Sequence, residues 1–350
     1  MSRATKIEVG ILGATGVVGQ QFVALLANHC WFRMTWLAAS ERSAGKRYGD
    51  LPWRLVTPPP EDAAGLQVQA IETRTAPKIV FSALDACVAG EIESAFASAG
   101  HIVLSNARNY RMDPLVPLLI PEINPQHLDA LAVQKKQKGW SGAVVTNPNC
   151  STIFLALALA ALRELEPERV IVTTLQALSG AGHPGVSSLD AMGNVIPFIA
   201  GEEEKIENET TKILGRFCGE KFEPAPIAIS AQTTRVPVIN GHTEMVSVGF
   251  RKGVKHDEIL AAFEKFAGKP QQLKLPLAPR QPIVYLESPD RPQPRLDVER
   301  FDGMAVQAGR LRACPVLGHK FVVLGHNTIR GAAGAALLNA ELMHAQGLLN

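Results

Sequence analysis

The run KIEVGILGATGVVGQQFVALLAN, residues 6–28, decides the fold. Lys6 to Leu12 reads as a strand, and Gly13-Ala14-Thr15-Gly16-Val17-Val18-Gly19 as a tight glycine turn entering a helix. That helix, Gln20 to Asn28, carries Phe22, Val23, Leu25 and Leu26, and a second strand follows near Met34 to Ala39. Strand, glycine turn, helix and strand make one βαβ unit of dinucleotide-binding type. Glycine permits the turn and lets backbone N–H groups approach a pyrophosphate at the helix N-terminus. Close helix–strand packing also selects glycine, but the placement between strand and helix favours a cofactor.

Working outward, the second strand ends at Ser40-Glu41-Arg42-Ser43-Ala44-Gly45-Lys46. NAD-binding units usually place Asp or Glu here for the ribose 2′-hydroxyl. Ser40, Arg42, Ser43 and Lys46 offer hydroxyls and cations that suit a 2′-phosphate, so NADP is expected over NAD. A solvated basic loop containing Glu41 is the bland alternative. Further strands are expected at Ile79 to Ser82 and His101 to Leu104, with a helix at Glu91 to Ala99 between them. The turns Ser82-Ala83-Leu84 and Ser105-Asn106-Ala107 should face the cofactor, because ligands lie beyond the carboxyl ends of parallel strands. Past them, Arg108 and Arg111 could clamp an anion or lie in a solvated turn.

Composition narrows the class. The 350 residues are 46% hydrophobic, 19% charged and 6% aromatic, which fits a two-domain α/β enzyme. A net charge of +2 argues against nucleic acid or an anionic membrane as partner. The longest apolar run, Ile153 to Leu162, is too short to span a bilayer. Cysteines at 30, 87, 150, 218 and 314 show no metal-ligand spacing and no disulfide framework, so a reducing cytoplasm and no metal are expected. A strand beginning at Lys6 leaves no room for a signal peptide.

The chemistry centres on Thr146-Asn147-Pro148-Asn149-Cys150-Ser151-Thr152, between a short buried strand and an apolar helix. Ser151 or Thr152 could cap that helix. Cys150 would then sit at a helix N-terminus, where orphan N–H groups and the dipole favour thiolate. A small buried hydrophobe is the competing reading of a lone cysteine. Asn149 and Ser151 beside it tilt the reading toward a nucleophile.

A nucleophile of this kind needs an acid or base and a substrate anchor. Downstream, Arg235-Val-Pro-Val-Ile-Asn-Gly-His242-Thr-Glu244 supplies an arginine and a histidine. Glu202 and Lys205 share a helix face at i,i+3 and could contact a zwitterionic ligand, or could belong to a solvated charged surface. Strands are expected at Val170 to Gln176, Arg235 to Ile239, Thr243 to Phe250, Val306 to Leu311 and Lys320 to Leu324. Helices are expected at Glu202 to Leu214 and Val254 to Phe266. Pro276 to Pro294 reads as a long loop or interface arm, and Gly331 to His344 as a helix buried on all sides.

Five motifs in order resemble aspartate-β-semialdehyde dehydrogenases: GATGVVGQ at 13–20, NPNCST at 147–152, LQALSGAG at 175–182, EEEKIENETTKIL at 202–214 and RVPVINGHTE at 235–244. IPEINPQHL at 120–128 resembles the archaeal and fungal branch. The resemblance spans essentially the whole chain. It implies a Rossmann-type NADP-binding domain from 1–149 and 331–350. A catalytic and dimerisation domain of α+β type with a mixed sheet would span 150–330, as in glyceraldehyde-phosphate dehydrogenases.

The resemblance also implies roles. Cys150 would form the acyl-thioester, His242 would be the acid/base catalyst and Gln176 would orient the substrate. Arg235 would hold the α-carboxylate and Glu202 the α-ammonium. Lys205, Arg111 and Asn149 would bind the departing phosphate. Gly13, Ala14, Thr15, Gly16, Val17, Val18, Ser40, Arg42, Ser43, Ser82, Ser179, Gly180 and Asn327 would contact NADP. The reaction would be the reversible, NADPH-dependent reductive dephosphorylation of L-aspartyl 4-phosphate, in a homodimer or a dimer of dimers. A paralogue reducing malonyl-CoA or succinyl-CoA, or a non-catalytic NADP-binding protein, are the competing readings. The joint presence of Glu202 and Arg235 favours an amino-acid substrate.

Overall fold

The computed structural model describes residues 6–349. The strand Ile7–Leu12 (β1) is buried over its last four residues, as a strand covered on both faces must be. It stands inside a parallel sheet with β2 (Phe32–Ala38), β3 (Val68–Gln69), β4 (Ile79–Ser82), β5 (Ile102–Ser105) and β6 (Ala143–Thr146), in the order β3-β2-β1-β4-β5-β6. The order reverses between β1 and β4. The glycine turn after β1 therefore opens at the switch point where doubly wound sheets take their ligands.

One face of this sheet packs on an apolar cluster that includes Phe22, Leu37 and Phe81 together with Leu337, Leu338, Leu342 and Met343. The last four belong to the C-terminal helix Gly334–Ala345, which is buried all round from Gly334 to Met343. The end of the chain thus returns to the first sheet. It arrives through a π-helical turn at Ile329–Ala333.

A small hairpin, β8 (Arg216–Phe217) and β9 (Phe222–Glu223), precedes most of the second sheet. That sheet comprises β7 (Pro167–Gln176), β10 (Ala228–Arg235), β11 (His242–Phe250), β12 (Ile283–Leu286), β13 (Val306–Cys314) and β14 (Gly318–Gly325). The order is β10-β7-β11-β14-β13-β12; the β10–β7 and β12–β13 pairs are parallel and the rest antiparallel, so the sheet is mixed. Helices Cys150–Ala161, Glu202–Leu214 and His256–Lys265 cover one face, burying Val172, Val246, Phe321 and Val323.

The edge strand β10 has two of its outward N–H groups taken by carboxylates. Glu203 accepts from Thr233 N at 3.0 Å and Glu207 from Ala231 N at 2.9 Å. Part of the acidic run therefore closes a sheet edge instead of standing in solvent.

Two expectations need correction. The strand placed at Arg235 to Ile239 lies upstream, at Ala228–Arg235; Pro237 has no N–H to continue a ladder, and the chain turns toward Gly241. The segment Pro276 to Pro294 is also more than a loop, since Ile283–Leu286 pairs with β13. Its β-branched and aromatic residues Ile283, Val284 and Tyr285 carried the strand signal that the flanking prolines masked. Two helices also begin earlier than their apolar patterns suggest, at Val17 and Ala86, where small residues give a weak period.

Candidate active site

The helix Cys150–Ala161 follows β6 after the turn Asn147-Pro148-Asn149. Its cap is Asn149, whose side chain accepts from Thr152 N at 3.2 Å. This corrects the expectation that Ser151 or Thr152 caps it; both are fully buried. Cys150 opens the helix and is partly exposed. Its thiol is pushed up to about 12 by burial and by the Glu202 carboxylate, against weaker pulls from the Ser151 amide, Arg111 and Arg235. The helix end alone suggested the opposite direction. In the resting site burial, with the Glu202 carboxylate added, outweighs the Ser151 amide and the two arginines.

The mixed sheet delivers three side chains in one lateral row. Arg235 pairs with Gln176 across β10 and β7, and Leu175 pairs with Thr243, which sets Gln176 alongside His242. All three are buried on the helix-covered side of the sheet. The backbone of Ala177 fixes two of them: its carbonyl accepts from Arg235 at 2.8 Å and its N–H donates to His242 Nδ1 at 3.0 Å. Burial, then the Arg235 charge, pushes the imidazole down to about 3, so it is neutral. With Nδ1 accepting, the ring proton resides on Nε2, which has no partner among the described residues.

Gly180 explains how close these groups stand. A Cβ there would lie 2.8 Å from an Arg235 guanidinium nitrogen and 3.0 Å from His242 Nε2. Gly331, in the π-helical turn, likewise backs onto Cys150, whose Cβ an added Cβ would meet at 2.6 Å. Phe154, one turn along from Cys150, packs edge-on against His242 with centroids 6.4 Å apart.

The helix Glu202–Leu214 supplies the remaining charges. Glu202 accepts from Asn149 Nδ2 at 2.7 Å and from Lys205 Nζ at 2.9 Å, so in this state the glutamate and lysine satisfy each other. Lysine is the chief pull holding the Glu202 carboxyl below its ordinary value, against the upward push of burial. Arg111 donates to Glu209 at 3.0 Å and to the Asn106 carbonyl at 2.7 Å. Of the two anion-clamp candidates, Arg111 is buried in the site and Arg108 is exposed.

The glycine turn is shaped for a dinucleotide. Gly13 has φ +77°, and a Cβ there would meet the Ala83 carbonyl at 2.6 Å. Thr15, Gly16, Val17 and Ser43 line a cleft of about 230 Å³ with Arg54 and His183, at the uncapped N-terminus of the helix Val17–Leu26. Ala14 and Val18 lie in the same turn, Ala14 donating to Ala38 O and accepting from Tyr48. Ser40 and Arg42 stand exposed on the adjoining turn. These residues fit a phosphate-bearing cofactor.

Two cofactor candidates are buried. Ser82 stands at the end of β4, enclosed near the Glu93 carboxyl. Asn327 brackets two loops, donating to Ser179 Oγ at 2.8 Å and accepting from Gly241 N at 2.8 Å. Lys212, Arg54 and His183 carry no signal of a role in the sequence pattern, and Glu209 carries only a weak one. Glu209 was recoverable, because it repeats Glu202 two helical turns along the same face.

Comparison with known proteins decides the family. The model for "Semialdehyde dehydrogenase, NAD binding domain" matches residues 8–131, and that for "Semialdehyde dehydrogenase, dimerisation domain" matches residues 159–330. An aspartate-semialdehyde dehydrogenase of Archaeoglobus fulgidus is 52% identical over 97% of this chain and 98% of its own length. The chain belongs to the aspartate-semialdehyde dehydrogenase family. The Cryptococcus neoformans member is 48% identical over the full length of both chains. A crystal structure of the Candida albicans member with NADP superposes at a TM-score of 0.91, with 41% identity, covering 98% of this chain and 100% of that one. The archaeal and fungal affinity of IPEINPQHL agrees with these relatives. Among the described residues no helix is long and apolar enough to cross a membrane, and no cluster of His, Cys, Asp or Glu could hold a metal ion.

Proposed function

We propose that this chain catalyses the reversible reductive dephosphorylation of L-aspartyl 4-phosphate to L-aspartate 4-semialdehyde, as an NADP-dependent oxidoreductase of amino-acid biosynthesis. The observation that carries this reading is the row Arg235–Gln176–His242 facing Cys150, with Glu202 beside the thiol. Carboxylate-binding and ammonium-binding groups flank one nucleophile, as an α-amino acid requires.

Arg235 takes the substrate α-carboxylate with the part of its guanidinium not held by Ala177, and Glu202 takes the α-ammonium. The arriving ammonium competes with Lys205 for Glu202. Lys205 is then free, with Arg111 and Asn149, for the phosphate. Neutralising Glu202 also removes one of the two forces that hold the thiol protonated, so substrate binding favours its own nucleophile. Cys150 gives its proton to solvent and attacks the acyl carbon as thiolate, the C–O bond to phosphate breaks with phosphate as the leaving group, and an acyl-thioester remains. NADP in its reduced form supplies the hydride when bound. Gln176 orients the acyl group, and His242 presents Nε2–H to the oxygen that gains charge in each tetrahedral stage. The acid side of the expected acid/base role suits this tautomer. Collapse expels the Cys150 thiolate and frees the aldehyde.

Gly13 to Val18, Ser40, Arg42, Ser43, Ser179 and Gly180 are proposed to contact the cofactor, Asn327 by holding the Ser179 loop. The uncovered face of the mixed sheet exposes Ile171 and Met245, and the segment before Glu202 exposes Leu189, Met192, Val195 and Phe198. Apolar surface of this kind supports a homodimer formed through the second domain. Five free cysteines suit a reducing cytoplasm.

The test is NADP reduction by L-aspartate 4-semialdehyde with and without inorganic phosphate, followed at the nicotinamide absorbance. Phosphate-dependent turnover that disappears in Cys150→Ala supports the reading. NADPH oxidation by malonyl-CoA or succinyl-CoA, without turnover of the semialdehyde, would move the substrate assignment to the coenzyme A thioesters. NADP binding without any turnover would leave a cofactor-binding protein.

A further inference from the structure

Glu202, Lys205, Glu209 and Lys212 form one stripe along the helix Glu202–Leu214, and the lower pair has no place in the chemistry above. Glu209 is buried, and its two oxygens do different things. One accepts from Arg111 at 3.0 Å; the other accepts from the backbone N–H of Asn149 at 2.7 Å, immediately before the nucleophile. Lys212 is also buried. Its ammonium donates to the carbonyls of Arg111, Asp113 and Val116 at 2.7, 2.8 and 2.9 Å, with the Phe222 ring 4.5 Å away.

We propose that Glu209 and Lys212 are positioning residues that build the phosphate subsite by gripping Arg111 from both ends, guanidinium and main chain, and tying it to the Cys150 loop. The proposal rests on the reading of Arg111 as a phosphate ligand. The segment 106–116 leaves the parallel sheet after β5, whereas Glu209 and Lys212 sit on a helix of the mixed-sheet half. Without this grip, an arginine on a long turn would approach the nucleophile with many rotamers to choose from. A phosphate would then have to order it on arrival.

The chemistry of the contacts supports more than packing. A structural ion pair needs only its partner, yet the second Glu209 oxygen reaches the N–H that precedes Cys150. One carboxylate therefore sets both the anion ligand and the start of the catalytic helix. Arg111 Nε is buried and has no partner among the described residues, so this guanidinium keeps a donor in reserve although two of its nitrogens are held. The main-chain grip matters equally. Lys212 collects three carbonyls of one turn, which an uncharged side chain could not satisfy together. Burial draws its ammonium down to about 8, with Asp113 and Glu209 opposing, so it is charged at neutral pH.

The test measures semialdehyde oxidation by NADP while inorganic phosphate is varied, in the full-length enzyme. Glu209→Gln keeps the shape but turns one acceptor into a donor facing a donor. Lys212→Met keeps length and loses the ammonium, and Lys212→Arg restores a cation. Both Glu209→Gln and Lys212→Met should raise KM for phosphate about tenfold or more, because small displacements of a binding group are costly. KM for the semialdehyde and NADP affinity should stay within about twofold, and Lys212→Arg should recover most of the phosphate effect.

Equal changes in both KM values, or no change in either, would overturn the proposal. So would tighter phosphate binding in Glu209→Gln, which would make the carboxylate a mere counter-charge. Arg111→Ala is the separate control: an unchanged phosphate KM there would remove Arg111 from the subsite, whatever the other variants do. If Lys212→Met did not fold, Glu209→Gln, which leaves every Lys212 contact in place, still decides the matter.

Discussion

Ala177 donates its backbone N–H to His242 Nδ1 at 3.0 Å, and that single bond sets the character of the imidazole. An amide can only donate, so Nδ1 must accept, and protonating it would oppose two N–H groups. Burial and Arg235 push in the same direction, down to about 3. His242 is therefore a neutral N–H donor throughout the physiological range.

The pH profile should reflect this. No histidine ionisation from His242 should appear in kcat/KM between pH 5 and 8, and nitrogen NMR of labelled ring should report Nε2–H. His242→Gln, which keeps an N–H donor, should retain more activity than His242→Ala. The loss in the alanine variant should be about 10²- to 10³-fold, the scale for removing one oxyanion donor. A bell-shaped profile whose acid limb vanishes in His242→Gln would contradict the assignment.

The resting thiol gives a second expectation. After burial, Glu202 is the main force holding Cys150 up at about 12. Glu202→Gln should speed iodoacetamide alkylation of Cys150 at pH 8 in the absence of substrate, by several-fold. The same variant should lose turnover of the amino-acid substrate, because its ammonium has no counter-charge. Faster alkylation with slower catalysis is the signature; slower alkylation would mean that Glu202 helps the thiol ionise.

Much of this is legible in the amino-acid sequence alone. The glycine turn at 13–19, Cys150 and the Arg235–His242 segment each announce themselves through local residue types. The roles of Glu209 and Lys212 are harder to read there, for a physical reason. Their meaning lies in contacts across 96 to 101 residues of chain, between a turn of one sheet and a helix over the other. The carboxylate run 202–204 hides another division of labour: Glu202 faces the site and Glu203 closes the β10 edge. Helical periodicity separates those faces, but it does not say which is buried. The direction of the Cys150 shift is likewise unreadable from local residues, because it depends first on burial by the folded chain and then on a carboxylate 52 positions away in sequence.

Gly180 offers a steric test. Its missing side chain leaves room for both Arg235 and His242, so Gly180→Ala must displace one head group or the loop. We expect kcat/KM for the semialdehyde to fall about 10²-fold, as misplacement of catalytic groups by about 1 Å can do. Thermal stability should change little, since the residue is exposed. An unaffected kcat/KM would show that the loop moves away during turnover.

Glu244 makes the last expectation, and it concerns stability. It lies two residues beyond His242 on the same face of β11, paired with Thr174 and Val323, one row deeper than the catalytic row. It is fully buried, and among the described residues neither oxygen has a partner. Desolvation raises its pKa well above the ordinary carboxylate value, so the folded protein holds it neutral. The sign of the linkage follows. The unfolded chain releases this proton above its own pKa near 4.5 while the native state keeps it, so stability from this group is complete below that pH and declines as pH rises. The decline is about 1.4 kcal/mol per pH unit for one proton, until the folded pKa is reached. Glu244→Gln removes the ionisation and nearly preserves the volume. Denaturant unfolding at pH 5 and pH 8 should show the variant gaining on the wild type as pH rises, with little difference at the lower value. Glu93 and Glu341 are also raised by burial, but their contribution is common to both proteins and cancels in the difference. A gap between variant and wild type that does not grow with pH would mean that Glu244 ionises in the folded state, with a partner supplied from within that polar row.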